Sequence, residues 1–399
     1  MRSVFPLVVL LAFLMDGCSK PHPISGTIDL SHGSEWRPKI YLLQPGKWSD
    51  VGQSFVARAL DSAVVGKDGY FSFSGLPHME NPTLLELAVQ KRGVGFANLL
   101  ENEDPRTDNY VPLVWKTGER ITIKASIDEF QASLSMESPS ETNKEILRLR
   151  DLRLRAFDEY KESSSNVSDA DEALLDREGK LLDYQTELMD FANSTEELLA
   201  ALLAIRWVSP EGDYERVAEF LFAQAQEWGA LYPDHPLVQE LVLKADKANL
   251  PILMGDLMPS LEFPMRSGET LLLGEVLKGE KLLLLDVWAS WCAPCRIENR
   301  NVLLPLWEKY RPNGFQILAY GLESNEKAWV NAMERDGADR WLHASHLLGD
   351  QNPLMDALRL RTIPANFLLD TEGRVLAKNL HGTQLIHFVD TCMTGPAKE

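Results

Sequence analysis

Cysteine is scarce. The 399 residues hold four, at Cys18, Cys292, Cys295 and Cys392, which excludes a scaffold stapled by many disulfides. A zinc site built from four thiolates would need all of them, and their spacing argues against it. Basic charge is also short: 40 Lys and Arg stand against 59 Asp and Glu, a net charge of −19. Nucleic-acid binding relies on clustered cations that neutralise phosphates, so this balance argues against it. No fixed repeat period is visible. Apolar material is not lacking. At 45% hydrophobic and 25% charged residues, the chain can build the cores of two or three domains and is not a disordered polymer.

Arg2 is followed by an apolar run, Val4–Met15, interrupted only by Pro6. That run falls short of the roughly 20 residues a membrane-spanning helix needs. A basic start and a short apolar stretch read instead as an export signal over residues 1–17. The run ends Leu14-Met15-Asp16-Gly17-Cys18-Ser19, which resembles a bacterial lipobox, a small residue before a cysteine that becomes lipidated. Gly17 and Cys18 fit; Asp16 is unusual there, and Leu14 sits one place early. The expectation is a lipid anchor on Cys18 that holds the chain in the cell envelope, facing the periplasm, on either the inner or the outer membrane. An ordinary cleaved signal with an incidental cysteine is the alternative.

Three zones follow. Residues 24–136 alternate short β-rich runs with Gly and Pro punctuation: Ile24–Leu30, Lys39–Leu43, Phe55–Val65, Tyr70–Phe73, Leu84–Val89, Tyr110–Trp115 and Arg120–Ala125. This pattern predicts a β-sandwich-like domain, with Lys67-Asp68-Gly69 as a hairpin turn. Residues 141–249 read as an α-helical region. Ile146, Leu149, Leu152 and Leu154 recur at near-helical spacing, Ser194-Thr195-Glu196-Glu197 reads as a capping box for a helix over Leu198–Ile205, and Tyr214–Tyr232 and Pro236–Ala248 make two more. Residues 253–393 alternate strand and helix, an α/β domain: strands at Lys281–Trp288, Phe315–Tyr320, Asn366–Leu369 and Arg374–Ala377, helices at Arg296–Tyr310, Glu326–Arg335, Pro353–Leu358 and Thr383–Met393. Most of the negative charge lies before residue 253, as expected of a solvated helical surface.

The chemistry concentrates at Trp291-Cys292-Ala293-Pro294-Cys295. Two cysteines separated by two residues can close a disulfide at the start of a helix, where free N–H groups and the helix dipole stabilise a thiolate. Cys292, the N-terminal and more exposed position, is expected to be the nucleophile and Cys295 the resolving thiol. Half a zinc site would look the same, but no second CxxC exists, and His343 and His346 form an HxxH pair without a third ligand. Cys392, in an apolar closing helix, reads as an inert core thiol.

The run Leu284-Leu285-Asp286-Val287-Trp288-Ala289-Ser290-Trp291-Cys292-Ala293-Pro294-Cys295 resembles the thioredoxin superfamily, and its long form the extracytoplasmic TlpA/ResA-like thiol–disulfide oxidoreductases. Gly255–Pro264 is similar to that family's lead-in, the stretch from Leu322 to Gly349 to its extra helix and strand, and Thr362-Ile363-Pro364 to its cis-proline loop. The order of lipobox, β-rich domain, helical stretch and redox domain looks like the thioredoxin-family lipoproteins of the Bacteroidetes. The resemblance implies a thioredoxin-like fold at the C-terminus. It implies a cis Pro364, with Ile363 offering backbone hydrogen bonds to an extended substrate. It makes Asp286 similar to the buried acid that exchanges protons with the resolving cysteine, and Glu298 similar to the glutamate that tunes the pair. Structural roles, an Asp286 paired elsewhere and a solvated Glu298, are the alternatives. Trp291 is expected to shape the docking face and Trp288 to pack.

Many relatives carry proline five residues after the second cysteine. Arg300 stands there here, so any helix kink is expected later, near Pro305. The function implied is reduction of disulfides in exported proteins, with electrons from a membrane thiol donor. The only redox group needed is the Cys292–Cys295 pair, without metal or other cofactor. A disulfide oxidase or isomerase is the alternative within this chemistry. A binding or assembly lipoprotein with an accessory redox domain is the alternative outside it. Oligomeric state is not legible.

Overall fold

The computed structural model describes residues 22–31, 34–53, 56–95, 104–165 and 172–395. The export signal and Cys18 lie outside these residues.

The β-rich zone forms eight strands: β1 (Ile24–Asp29), β2 (Trp36–Gln44), β3 (Arg58–Val64), β4 (Tyr70–Phe73), β5 (Thr83–Lys91), β6 (Tyr110–Trp115), β7 (Ile121–Ser126) and β8 (Ser135–Glu137). They make two four-stranded sheets, β4-β1-β7-β8 and β3-β2-β5-β6. Alternate residues point to opposite faces of a strand. Ile24, Ile28, Phe71, Phe73 and Ile123 of the first sheet therefore meet Ile40, Leu42, Leu85, Leu87 and Leu113 of the second in one core.

The Lys67-Asp68-Gly69 turn does not make the expected hairpin. The strand before it, β3, pairs with β2, and the strand after it, β4, pairs with β1. The turn closes locally through the Gly66 N–H to Tyr70 O at 2.9 Å and carries the chain from one sheet to the other. Gly69 is required there. Its φ is +78°, and a Cβ would lie 2.4 Å from the Ile28 carbonyl oxygen.

The second sheet is apolar on both faces, the pattern of a sheet covered on both sides. Its outer face, with Leu43, Leu84, Ala88, Tyr110 and Val114, shares a core with the helices that follow. After a short α1 (Phe130–Ser133) come α2 (Glu141–Ser165), α3 (Glu172–Ser194), α4 (Leu198–Val208), α5 (Ala218–Leu231) and α6 (Pro236–Lys244). The helices are thus a third layer on the sandwich. Trp48 pins the layers: its indole N–H donates to Leu202 O at 2.7 Å. Arg153 of α2 is buried, paired with Asp108 at 2.9 Å, bonded to Gln131, and stacked over the Trp207 ring.

Helix α3 has no counterpart in the sequence reading, and it overturns the capping box. Ser194 is its last residue and donates to Phe191 O, so it cannot cap the next helix. The Glu197 N–H is taken by Thr195 Oγ1 at 3.3 Å instead.

The C-terminal zone begins with a small hairpin, β9 (Glu262–Pro264) and β10 (Thr270–Leu272), and α7 (Leu273–Val276). Then follow β11 (Leu282–Trp288), α8 (Ala293–Glu298), α9 (Leu304–Tyr310), β12 (Phe315–Gly321), α10 (Glu326–Asp336), β13 (Leu342–Ala344), α11 (Pro353–Leu358), β14 (Ala365–Leu369), β15 (Val375–Lys378) and α12 (Gly382–Thr394). The sheet order is β13-β12-β11-β14-β15, with β11, β12 and β13 parallel and β14 and β15 antiparallel to their neighbours. Every residue of the central β11 is buried. Leu282, Leu284 and Trp288 face the side of α8, α9, α10 and α12; Leu283, Leu285 and Val287 face the opposite core.

The helix expected over Arg296–Tyr310 is interrupted. A π-helical turn, Asn299–Leu303, joins α8 to α9, and Pro305 falls in the first turn of α9. Proline clashes with the carbonyl four residues earlier in a regular helix, and the widened turn avoids that clash. Arg300, in place of the family's proline, pairs with the buried Asp336 at 2.9 Å.

Candidate active site

The parallel strand β11 ends at Trp288 and delivers the chain into Ala289-Ser290-Trp291 and then the N-terminus of α8. Two anchors set this turn. Glu323, at the end of β12, accepts from both the Ser290 N–H and its hydroxyl. Arg296 reaches back from α8 to Ser290 O at 3.2 Å while its guanidinium pairs with Asp336. Burial raises the Glu323 carboxyl above the ordinary carboxylate range, partly offset by the Ser290 bonds.

Cys292 is the N-cap of α8, and its Sγ accepts from the Cys295 N–H at 3.3 Å. The two cysteines form a disulfide with Cα atoms 5.3 Å apart. Both cysteines are buried, and Cys292, 5% exposed against 3% for Cys295, is the slightly more exposed of the two, in the order expected. The solvent-facing member of the motif is Trp291, 67% exposed, while Trp288 is fully packed.

Beside the disulfide stands the loop before β14. The Ile363–Pro364 bond is cis. Pro364 is buried, and Ile363 packs partly buried against the cluster that contains both cysteines.

The structure brings two acids together behind the cysteines. Asp286 is on the same face of β11 as Leu284 and Trp288 and is 3% exposed. Its carboxyl is pushed well above the ordinary aspartate range, first by burial and second by the nearby Glu298 charge. Glu298 is not a solvated helix residue: it is 1% exposed. Its carboxylate meets His381 Nδ1 at 2.9 Å and accepts from the Gly382 N–H at 3.3 Å. His381 escaped the sequence reading. It follows Glu298 by 83 residues, and only the return of the chain to α12 brings it there. Glu323 escaped for the same reason.

One other expectation resolves differently. Cys392 is exposed, not core. Helix α12 buries Leu385 and Val389 and packs Met393 against the core, while Cys392 itself stays exposed. His343 and His346 do not act as a ligand pair. His343 Nε2 bonds Ala338 O at 2.7 Å, and burial depresses its pKa to about 4. His346 is bonded to the Tyr320 hydroxyl. Among the described residues, no three His, Cys, Asp or Glu side chains group as a metal site.

A central strand leading into a Cys-x-x-Cys helix start, with a cis-proline loop packed on the same core cluster as the disulfide, defines a thioredoxin-like domain. Residues 253–385 match the model of the Redoxin family. This part of the chain is similar to TlpA/ResA-like members of the thioredoxin superfamily. The chain is 28% identical over 102 residues to the thiol-disulfide oxidoreductase ResA of Bacillus cereus, covering 26% of this chain and 56% of that protein. It is 29% identical over 97 residues to ResA of Geobacillus thermodenitrificans, covering 24% and 52%. It thus spans about half the length of these relatives. Among solved structures it is similar to the thioredoxin domain of a thiol-disulfide oxidoreductase from Bacteroides vulgatus (25% identity, 36% of this chain, 99% of that one, TM-score 0.33). Another is a thiol-disulfide oxidoreductase from Bacteroides fragilis (28% identity, 34% and 98%, TM-score 0.32). The sandwich and its helical layer precede this domain.

Proposed function

We propose that the protein is a thiol–disulfide oxidoreductase of the cell envelope that reduces disulfides in exported proteins. The observation that carries this reading is the Cys292–Cys295 disulfide at the start of α8, next to the cis-proline loop and backed by buried acids.

In the reduced protein, the Cys292 thiolate attacks one sulfur of a substrate disulfide. That S–S bond breaks, one substrate sulfur leaves as a thiolate, and a mixed disulfide forms on Cys292. Cys295 then loses its proton and attacks the Cys292 sulfur. The second substrate thiolate leaves, and the Cys292–Cys295 bond carries the two electrons' worth of oxidation. Burial makes Asp286 a stronger base than an ordinary carboxylate, suited to take the Cys295 proton. Glu298, held by His381, sets the charge beside it. Ile363 offers its backbone to the substrate and Trp291 borders the docking face. A membrane thiol donor restores the dithiol. No metal or organic cofactor enters the reading.

The Ala293-Pro294 dipeptide and Ile363 support the reducing direction over oxidation or isomerisation. The lipobox-like run to Cys18 supports lipid attachment and a periplasm-facing location.

The test is insulin reduction with dithiothreitol as electron source. Cys292→Ser abolishes it, and Cys295→Ser traps mixed disulfides on Cys292 that mass spectrometry identifies. Full activity of Cys292→Ser, or no trapped partner with Cys295→Ser, overturns the reading. A redox potential at the oxidising end of the thioredoxin-fold range reverses the direction proposed.

A further inference from the structure

The helical layer does more than flank the redox domain: it takes hold of the cis-proline loop. Between α4 and α5 the chain makes one 3₁₀ turn, Glu215–Val217. From that turn the Glu215 carboxylate accepts from the Arg361 N–H at 2.8 Å and from the Thr362 hydroxyl at 3.3 Å. The next residue, Arg216, donates through Nη2 to Pro364 O at 2.7 Å. Glu215 is itself buried, 6% exposed, so this is a built contact and not a surface encounter. The bonds fall on residues 361, 362 and 364, and skip Ile363. The loop is held on both sides of the one residue whose backbone the proposed reaction presents to substrate.

Separate contacts dock the two parts. Lys378, 5% exposed at its side chain, pairs with Glu219 of α5 at 2.9 Å. Its Nζ also donates to Ile252 O, and Arg359 donates to Leu250 O at 3.1 Å. Helix α3 lies against α8, which carries Cys295. Docking therefore does not depend on Glu215 and Arg216. What those two residues add is confined to the loop.

We infer that Glu215 and Arg216 are positioning residues for the redox site, by which the helical layer holds the cis-proline loop ready for an extended polypeptide disulfide. The inference rests on the oxidoreductase reading above and gives the N-terminal region a part in it. A loop ordered beforehand spares the substrate the cost of ordering it, so the benefit shows in binding of polypeptide substrates. A small disulfide with no peptide backbone does not draw on the loop.

The experiment uses the full chain as wild type, Arg216→Ala, Arg216→Lys and Glu215→Gln. Each is assayed with insulin and with cystamine, a small disulfide. For Arg216→Ala, KM for insulin rises about tenfold, the scale of one lost charge-assisted hydrogen bond, with kcat largely retained. The loss of kcat/KM on insulin exceeds that on cystamine at least about fivefold on the same grounds. Arg216→Lys, which keeps a cationic donor, recovers part of the insulin KM, and Glu215→Gln changes it in the same direction as Arg216→Ala. Equal losses on both substrates mean general damage and overturn the inference. Unchanged KM for insulin in Arg216→Ala also overturns it. A wild type inactive on both substrates instead fails the oxidoreductase reading itself, so the two failures are told apart.

Discussion

Asp286→Asn probes a buried acid of the redox domain whose pKa is raised well above the ordinary aspartate range. The aspartate sits in β11 between β12 and β14 at 3% exposure, with Glu298 as the nearby charge. Both burial and Glu298 raise its pKa, so the folded protein holds this proton to higher pH than the unfolded chain does. The sign follows. At low pH both states are protonated and Asp286 costs nothing. As pH rises above the ordinary aspartate value of about 4, only the unfolded chain ionises, and the folded state loses about 1.4 kcal/mol per pH unit from this one site. The loss levels off once pH passes the raised folded pKa.

Asparagine has nearly the same shape and does not titrate. The variant's stability relative to wild type therefore climbs by that slope across the window. For a domain of this size the slope corresponds to a Tm difference growing by roughly 5 °C per pH unit. Any fixed cost of burying the amide offsets the two curves by a constant and leaves the slope untouched. The assay is thermal unfolding of both oxidised proteins at pH values from 4 upward, reading only the difference. A difference that does not change with pH would refute the assignment of Asp286 as a buried, proton-holding acid.

Further predictions follow from the N-terminal layers. Arg153→Met leaves Asp108 buried without its cation and is expected to cost about 3–5 kcal/mol in urea denaturation; a cost below about 1 kcal/mol would show that the pair carries no weight. Gly69→Ala forces a Cβ into the Ile28 carbonyl at positive φ and should cost upwards of about 2 kcal/mol. Gly93 also has positive φ but open space around it, so Gly93→Ala should cost only the backbone penalty, about 1–2 kcal/mol. Equal losses at the two glycines would remove the close approach as the reason for Gly69.

Local pattern revealed much of this molecule. Alternation in Arg120–Ala125 marks a strand because side chains leave a strand with period two, and the continuous apolar run Leu84–Val89 marks one covered on both faces. The CxxC dipeptide spacing marks a helix-start disulfide because both sulfurs lie within one turn. Helix α3 was not read from the sequence: among its described side chains Leu188, Phe191 and Ala192 are buried while Leu181 and Leu182 face solvent, so its apolar residues do not mark one stripe. Strand pairing was not legible either: nothing within Gly66–Tyr70 records that β3 and β4 belong to different sheets. Cys392 misled because its apolar neighbours Leu385, Val389 and Met393 do pack, whereas Cys392 itself stays exposed at the margin of that contact.

By itself, then, the sequence determined most of the strands and helices and the spacing of the redox pair, all properties carried by residues within a few positions of one another, while Asp286 and Glu298 were singled out only through the family resemblance. Tertiary structure alone decided which groups meet. It put His381 on Glu298, Glu323 on Ser290, and Glu215 and Arg216 on the loop at Pro364. It also buried both cysteines. These are long-range facts, set when distant segments bury their apolar faces together, and no local spacing along the chain encodes them.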